Sequence, residues 1–287
     1  MISISIAVIT VTWIFILFKL FTKYNINTFQ AVVFNYLAAF SCGTLLYGNQ
    51  ITKNIFEHSE WMIWALFCGA LFISLFFLMG KSSQNNGVSL TTVVVKMSMA
   101  FSMILMIIIY HETLTIYKIA AISLALVGIF FLSKEKQNSE KKNNDKILLI
   151  ILFIGCGLLD FVLNYVQNFK LQYISSPLFS AFGLGLAGVI GCLILFIKSF
   201  KNKEKITFKN IVAGILLGIP NYFSIYYLIH SYEVLDLPDS TVLSLLNVLS
   251  VLASLVAGYF IFKEKITWLK AIGIFSCLIS IYLFTKS

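Results

Sequence analysis

The sequence predicts an all-α integral membrane protein with ten transmembrane helices, arranged as two inverted five-helix repeats. Three observations predict this fold: apolar runs of membrane-spanning length recur along the chain, lysines cluster in alternate loops, and the second half repeats a motif of the first. The 287 residues are 59% hydrophobic and 11% charged, with a mean hydropathy of +0.92. Soluble domains carry about 25% charged residues, so the composition is typical of a membrane protein.

Ten apolar runs provide the predicted helices. Each is about twenty residues long, which is enough to cross a bilayer. Backbone polar groups must be satisfied within the segment in lipid, and this favours helices. The first run has no basic residue before it, so we expect it to remain as the first helix rather than to be a cleaved leader. The runs lie near residues 2–20, 28–47, 61–80, 88–109, 116–133, 147–168, 177–197, 209–229, 239–261 and 267–285.

The distribution of charge predicts the orientation in the membrane. All 21 basic residues are lysine, and most of them lie in the loops that follow odd-numbered helices. Such positive loops stay on the cytoplasmic side. We therefore expect a multi-pass protein of the cytoplasmic membrane, with the odd-numbered loops inside and both termini outside. The net charge of +9 then reflects topology and does not indicate a nucleic-acid partner.

The two halves of the chain end in similar segments. The segment IYHETLTIYKIAAISLALVGIFFLSK at 109–134 aligns without a gap with IFKEKITWLKAIGIFSCLISIYLFTK at 261–286, and eight of the 26 positions are identical. Glu, Thr and Lys recur at the same spacing, which shared hydrophobicity does not produce. Because five helices is an odd number, the second half enters the bilayer from the opposite face, which predicts an inverted repeat.

The offset of 152 residues between these segments defines the domains. The first five-helix repeat is predicted at 1–134 and the second at 147–287. A charged cytoplasmic linker at 135–146 separates them, since a mixed-charge hydrophilic stretch stays solvated.

Each half contains a short turn of the pattern aromatic-x-Glu-x-(Leu/Ile)-Thr before its last helix, namely YHETLT and FKEKIT. Two five-helix halves with this doubled turn resemble the drug/metabolite transporter superfamily, EamA type, over the whole chain. The resemblance implies ten helices around a central cavity, with the fifth and tenth helices at the periphery. It also implies the export of amino acids, metabolites or drugs, or the uptake of metabolites.

The residues of the doubled turn also have a physical interpretation. Glu112 and Glu264 follow the fourth and ninth helices, and Thr115 and Thr267 come three residues later. A threonine hydroxyl at that position caps the next helix, and a carboxylate is favourable beside a helix start. We interpret all four as parts of structural turns rather than as catalytic or ion-coupling groups.

Two charges inside apolar runs are the strongest signals of a binding site. Lys96 lies about 12 Å into the fourth helix, and Asp160 lies on the sixth helix with Asn164 four residues later on the same face. Charges in a membrane are costly and face the bundle interior. We predict that Lys96 and Asp160 pair directly or share a cavity, where Lys96 suits a carboxylate or phosphate and Asp160 suits a cation or a coupling proton. The alternative is a purely structural pair; the repeat partners Val248 and Val8 are uncharged, which favours a site.

The eighth helix carries a second signal around Pro220. Proline removes a backbone hydrogen bond and kinks a helix, so we predict a hinge there. Asn221 and Tyr222 lie at the break and Tyr226 one turn later, and with Asn35 of the second helix they are predicted to bind substrate. The alternative is a packing kink with an aromatic core.

These features predict a secondary transporter that moves a small polar metabolite, amino-acid-like or another organic solute, by alternating access. The alternative is an intramembrane enzyme or a receptor without transport activity. The sequence contains no HExxH, GxSxG or Walker motif, so we expect no enzymatic activity. We also expect no cofactor and no metal. The expected partners are a small-molecule substrate, the lipid bilayer and, in one hypothesis, a coupling proton, in a monomer or homodimer.

Overall fold

The chain folds into long helices joined by short turns. The structure, a computed structural model, describes residues 2–51, 53–57, 60–110, 115–133, 142–170, 174–202, 205–234, 239–264, 267–284 and 286. Within these ranges there is no strand. The helices are α1 (Ile2–Lys23), α2 (Thr28–Tyr47) followed by a 3-10 turn (Gly48–Gln50), α3 (Lys53–Glu57), α4 (Glu60–Asn86), α5 (Val88–Met97), α6 (Met99–Tyr110), α7 (Ile116–Ser133), α8 (Lys142–Phe169), α9 (Ser176–Asn202), α10 (Phe208–Val234), α11 (Asp239–Phe262) and α12 (Trp268–Phe284).

The length and apolar character of these helices fit a multi-pass membrane protein. In the part of the chain that the structure describes, seven segments are long and apolar enough to cross a bilayer. Three shorter apolar helices lie at Ile116–Gly128, Leu246–Phe262 and Ala271–Leu283. The seven long segments are Ile2–Lys23, Thr28–Gln50, Glu60–Asn86, Val88–Tyr110, Lys146–Val166, Pro177–Lys198 and Phe208–Leu228.

The helices differ from the predicted runs in several respects, of which three bear on the site and the linker. The run at 88–109 is two helices, α5 and α6, separated at Ser98. The helix α8 begins at Lys142, so the end of the predicted linker 135–146 is helical. The helices α9 and α10 continue to Asn202 and Val234, about a turn beyond the predicted ends. Hydropathy marks only the part of a helix that is apolar, whereas its backbone hydrogen bonds are internal and continue through polar residues.

Helices from the two halves of the chain pack against each other extensively. The helix α10 packs along α2, α9 packs against both α2 and α4, and α7 packs against α12. The helix α8 contacts α4 and α6, while α11 contacts α1 and α5. Glycines permit the closest approaches: Gly185, Gly188 and Gly191 of α9 pack against Phe40, Leu37 and Val33 of α2, in that order. Since the residue numbers rise on one helix and fall on the other, α2 and α9 are antiparallel.

Candidate functional site

The break between α5 and α6 positions the intramembrane lysine. Lys96 is half-buried in the last turn of α5, and Ser98 separates the two helices. The Ser98 hydroxyl donates to the carbonyl oxygen of Val95 at 2.6 Å. A serine that bonds to the preceding turn competes with the helical backbone pattern, which accounts for the interruption at this residue.

Asp160 of α8 faces this break. The Ser98 hydroxyl donates to a carboxylate oxygen of Asp160 at 3.5 Å, and Lys96 lies close enough for the two charges to interact. Among the described residues, a salt bridge joins Lys170 to Glu60. The described part of the chain has no salt bridge between Lys96 and Asp160. The opposite charges therefore share a neighbourhood without forming a direct ion pair.

The carboxylate of Asp160 lines an internal space. Asp160 is exposed, yet it lies about 140° around α8 from the centre of the exposed apolar face, at 3.6 residues per turn. Cys156, one turn earlier on the same side, is buried. An exposed side chain on the packed side of a helix borders a cavity rather than lipid. The exposed apolar face consists of Ile147, Ile150, Ile151 and Ile154.

A third polar residue continues the same face of α8. The amide oxygen of Asn164, one turn after Asp160, accepts a hydrogen bond from the Tyr110 hydroxyl of α6 at 3.4 Å. Gly157 allows α8 to approach the break, because a Cβ atom there would lie 2.5 Å from the carbonyl oxygen of Ser98. The structure therefore brings together three predicted site residues, Lys96, Asp160 and Asn164, on α5 and α8.

Two other predicted residues meet where α2 crosses α10. The amide nitrogen of Asn221 donates to the amide oxygen of Asn35 at 3.2 Å, and both side chains are buried. The amide nitrogen of Asn35 has no hydrogen-bond partner among the described residues. Buried polar groups are usually paired, so this donor is available to a ligand or a water molecule.

The tyrosines after Pro220 form a separate aromatic group. The helix α10 runs through Pro220 without interruption. Tyr222 is buried, and its hydroxyl has no partner in the described part of the chain. The Tyr226 ring stacks on His230 at 6.1 Å and lies 6.2 Å from the ring of Tyr47. No described hydrogen bond or ring contact joins these tyrosines to Lys96 or Asp160.

Two residues that sequence reasoning overlooked or weighted weakly make polar contacts between helices. The Tyr36 hydroxyl of α2 donates to the carbonyl oxygen of Phe72 at 2.7 Å, and Tyr36 is within electrostatic range of Cys156. The amide of Asn247 in α11 donates to the sulfur of Met99 at 3.5 Å. Asn247 was recognisable as an amide inside an apolar run, whereas Tyr36 had no signal beyond its position next to Asn35.

The doubled turn is only partly described. Glu112 lies outside the described residues. The Thr115 hydroxyl accepts a hydrogen bond from the backbone N–H of Lys118 at 3.3 Å, which is N-cap geometry for α7. Thr267 directly precedes α12. Glu264 caps a different helix from the one expected: its carboxylate accepts from the backbone N–H of Val88 at 2.7 Å, at the start of α5.

The chain is similar to two family models, to a curated protein and to a solved structure. A family model described as Sugar transport protein matches residues 114–285, and one described as EamA-like transporter family matches residues 1–134. A protein of Haemophilus influenzae, described as uncharacterized, is 27% identical over 274 residues, which cover 93% of this chain and 91% of that protein. A solved crystal structure aligns with a TM-score of 0.59 and 13% identity, covering 98% of this chain and 97% of that one. This last similarity concerns the fold alone.

Proposed function

We propose that this chain, which belongs to the drug/metabolite transporter superfamily, is a secondary carrier of a small polar metabolite that works by alternating access. The family makes it a membrane transporter. The arrangement of the halves and the charges between them support the proposed mechanism and substrate class. The observation that carries the proposal is the unpaired proximity of Lys96 and Asp160 on two packed helices.

An inverted repeat is part of the proposal, and the pairing of α7 with α12 supports it. The Ser276 hydroxyl donates to the carbonyl oxygen of Leu124 at 2.9 Å, and these residues are repeat partners 152 positions apart. The Ser280 hydroxyl donates to the carbonyl oxygen of Ala121 at 2.6 Å, so the two helices are antiparallel. A residue meets its own partner where a two-fold axis passes between the copies.

The same reasoning puts the charged pair close to the proposed axis. On α5 and α11, the Ser89 hydroxyl lies 3.3 Å from the carbonyl oxygen of Ser254, and Asn247 contacts Met99. Along these antiparallel helices, Lys96 lies between the two contacts, opposite its partner Val248. Carriers of this architecture bind their substrate near the midplane between the repeats. At that depth the two repeats differ, because Lys96 of the first repeat corresponds to the uncharged Val248 of the second.

The charges favour a zwitterionic substrate. An ammonium group and a carboxylate that stay out of contact in a membrane leave both charges without full compensation, which is costly. A solute with its own carboxylate and ammonium groups compensates both at once: its carboxylate binds Lys96 and its ammonium group binds Asp160. Amino-acid-like solutes have this chemistry.

A second candidate substrate class comes from the uncharged polar residues. The buried amide of Asn35 and the hydroxyl of Tyr222 each lack a partner among the described residues. Amides and tyrosines suit a solute with many hydroxyl groups, and the family model that matches residues 114–285 is described as Sugar transport protein. A sugar or polyol is therefore the alternative class of substrate.

The test is a thermal-shift panel on the purified protein with amino acids, sugars and polyols. A ligand that binds only the folded state contributes about 2.7 kcal/mol at one hundred times its Kd, so the melting temperature rises. We expect zwitterions to stabilise the wild type and to lose this effect in Lys96→Gln. Stabilisation by sugars in both proteins would favour the second class, and the absence of any stabilising solute in the panel would contradict the proposal.

The proposed orientation predicts where each end of the bundle is accessible. In a background without native cysteines, Ile2→Cys lies at the lysine-poor end and Lys205→Cys at the lysine-rich end, and both positions are exposed. A membrane-impermeant maleimide added to intact cells should label Ile2→Cys and not Lys205→Cys, because lysine-rich loops stay inside. Both should react after lysis. The reverse pattern on intact cells would invert the proposed topology.

A further inference from the structure

We propose that Glu264 is a latch that holds the lysine-rich ends of α5 and α11 together, and that it must release before substrate can pass on that side. This proposal rests on the proposed carrier function, since it assigns the contact that closes one of the two access routes. It concerns a residue outside the substrate site, in the turn between α11 and α12.

The latch consists of three hydrogen bonds between the halves. The Glu264 carboxylate accepts from the backbone N–H of Val88 at 2.7 Å, from the backbone N–H of Ser89 at 3.3 Å and from the Ser89 hydroxyl at 2.8 Å. The donors lie at the N-terminus of α5, where the exposed N–H groups and the helix dipole favour a negative charge. Hydrogen bonds to a charged group are stronger than neutral ones. The second half of the chain thus holds the beginning of the helix that carries Lys96.

The local backbone is arranged to admit the carboxylate. Gly87 has a φ of +93°, and a Cβ atom there would lie 2.5 Å from one oxygen of Glu264. A Cβ atom at Gly258 of α11 would lie 2.6 Å from the other oxygen. Lys263 adopts a φ of +52°, which turns the chain at the end of α11 directly before Glu264. Glycines from both halves therefore leave room for one side chain.

A basic residue of a third helix faces the latch. Lys19 of α1 donates to the carbonyl oxygen of Gln84 at 2.8 Å and lies within electrostatic range of Glu264. Lys19 thus adds a positive charge near the latch from a third helix.

The latch lies across the route from the charged pair to the lysine-rich face. Val88 is about 12 Å from Lys96 along α5. Over this stretch Thr92 of α5 is fully buried, and so are Val251 and Ser254 of α11, the helix that packs against α5. Access from this side therefore requires α5 and α11 to separate, and their separation breaks the bonds to Glu264.

The sequence repeat keeps the glutamate and a hydroxyl of the latch but not its glycines. Glu112 is the repeat partner of Glu264, and Thr241 is the partner of Ser89, so a hydroxyl donor recurs. However, Asp239 stands at the position equivalent to Gly87, and Met106 stands at the position equivalent to Gly258. A like charge and a larger side chain stand where the other half has its two glycines, so the sequence does not repeat the space that Gly87 and Gly258 leave for a carboxylate.

The experiment measures how fast a buried position below the latch reacts with a maleimide. Thr92→Cys is introduced into a background without native cysteines, and the reagent reaches it from the lysine-rich side of inside-out vesicles. Glu264→Ala is expected to raise the labelling rate roughly ten- to a hundredfold, as loss of hydrogen bonds to a charged group predicts. Gly258→Ala should raise the labelling rate too, because the added methyl group displaces the Glu264 carboxylate from its donors Val88 and Ser89 in the first half. Gly48→Ala is the matched control, since nothing lies within 4 Å of a Cβ atom there.

The outcomes separate the latch from a simple helix cap. Equal labelling rates in the parent, Glu264→Ala and Gly258→Ala, with all three proteins monodisperse, would overturn the proposal. If Glu264→Ala does not fold, the labelling rates of Gly258→Ala and Glu264→Gln test the latch in its place. The thermal-shift response to ligand is recorded on the same variants. Unchanged labelling with an intact ligand response rejects the latch alone, whereas a missing ligand response in the parent protein rejects the carrier function.

Discussion

Replacement of Lys96 by glutamine is expected to weaken substrate binding more than any other single change in the charged pair's surroundings. Truncating one partner of a buried charge interaction costs about 2–5 kcal/mol, which corresponds to roughly a 30- to several-thousandfold rise in Kd. The substrate carboxylate loses its cation, and Asp160 loses the charge that balances it. The measurement is a titration of the stabilising solute from the thermal-shift panel against the wild type and Lys96→Gln, with Lys170→Gln at the exposed salt bridge to Glu60 as the control.

A double replacement separates a ligand contact from a structural pair. Lys96→Gln leaves Asp160 uncompensated, and Asp160→Asn removes that remaining charge. If the pair only balances itself, the double variant recovers both stability and substrate binding. We expect it to recover stability but not binding, because both groups that compensate the zwitterion are gone. Recovery of binding in the double variant would show that neither charge contacts the substrate.

Among the proposed substitutions, Gly218→Leu is expected to lower the free energy of unfolding the most. Gly218 of α10 packs directly onto the backbone of α2, where a Cβ atom would lie 3.1 Å from the carbonyl carbon of Asn35 and 2.7 Å from the Cβ of Ala38. Backbone cannot move aside as a flexible side chain can, so the two helices must separate. Overpacking of this kind costs about 3 kcal/mol or more. The same displacement breaks the hydrogen bond between Asn221 and Asn35.

The measurement for this substitution is the melting temperature and the elution profile of the purified protein in detergent. Gly48→Leu is the matched control, because the space around Gly48 is open to 4 Å. We expect the control to melt as the wild type does, and Gly218→Leu to melt well below it or to aggregate. Equal melting temperatures would show that the crossing of α2 and α10 is looser than its glycines indicate.

The positions of the helices could be predicted from the sequence because the bilayer imposes one length on every apolar run. The break at Ser98 could not be predicted in this way. A single serine in an apolar run has no effect on hydropathy, and its role depends on a hydrogen bond to Val95 and on the approach of Asp160. The helix ends at Lys142 and Asn202 were missed because they extend into water.

The sequence could indicate only those candidate residues whose burial in a membrane is energetically costly. Lys96 and Asp160 stood out because a charge in lipid must be compensated. The partner of Glu264 had no such signal: the motif indicated a helix cap, but the helix that it caps begins 176 residues earlier in the chain, at Val88. Only the folded arrangement of the two halves brings those residues together.

The glycines that admit Glu264 are not repeated in the sequence of the first half, and this difference has a kinetic consequence for the proposed carrier. A carrier closed more firmly on one side spends most of its time open to the other. The apparent affinity of a site is reduced by the fraction of molecules in which it is accessible. For the proposed carrier we therefore expect a higher half-saturating substrate concentration from the lysine-rich face than from the opposite face, and we expect Glu264→Ala to bring the two values together. Transport in the two directions then differs in its concentration dependence even when the same residues bind the same solute.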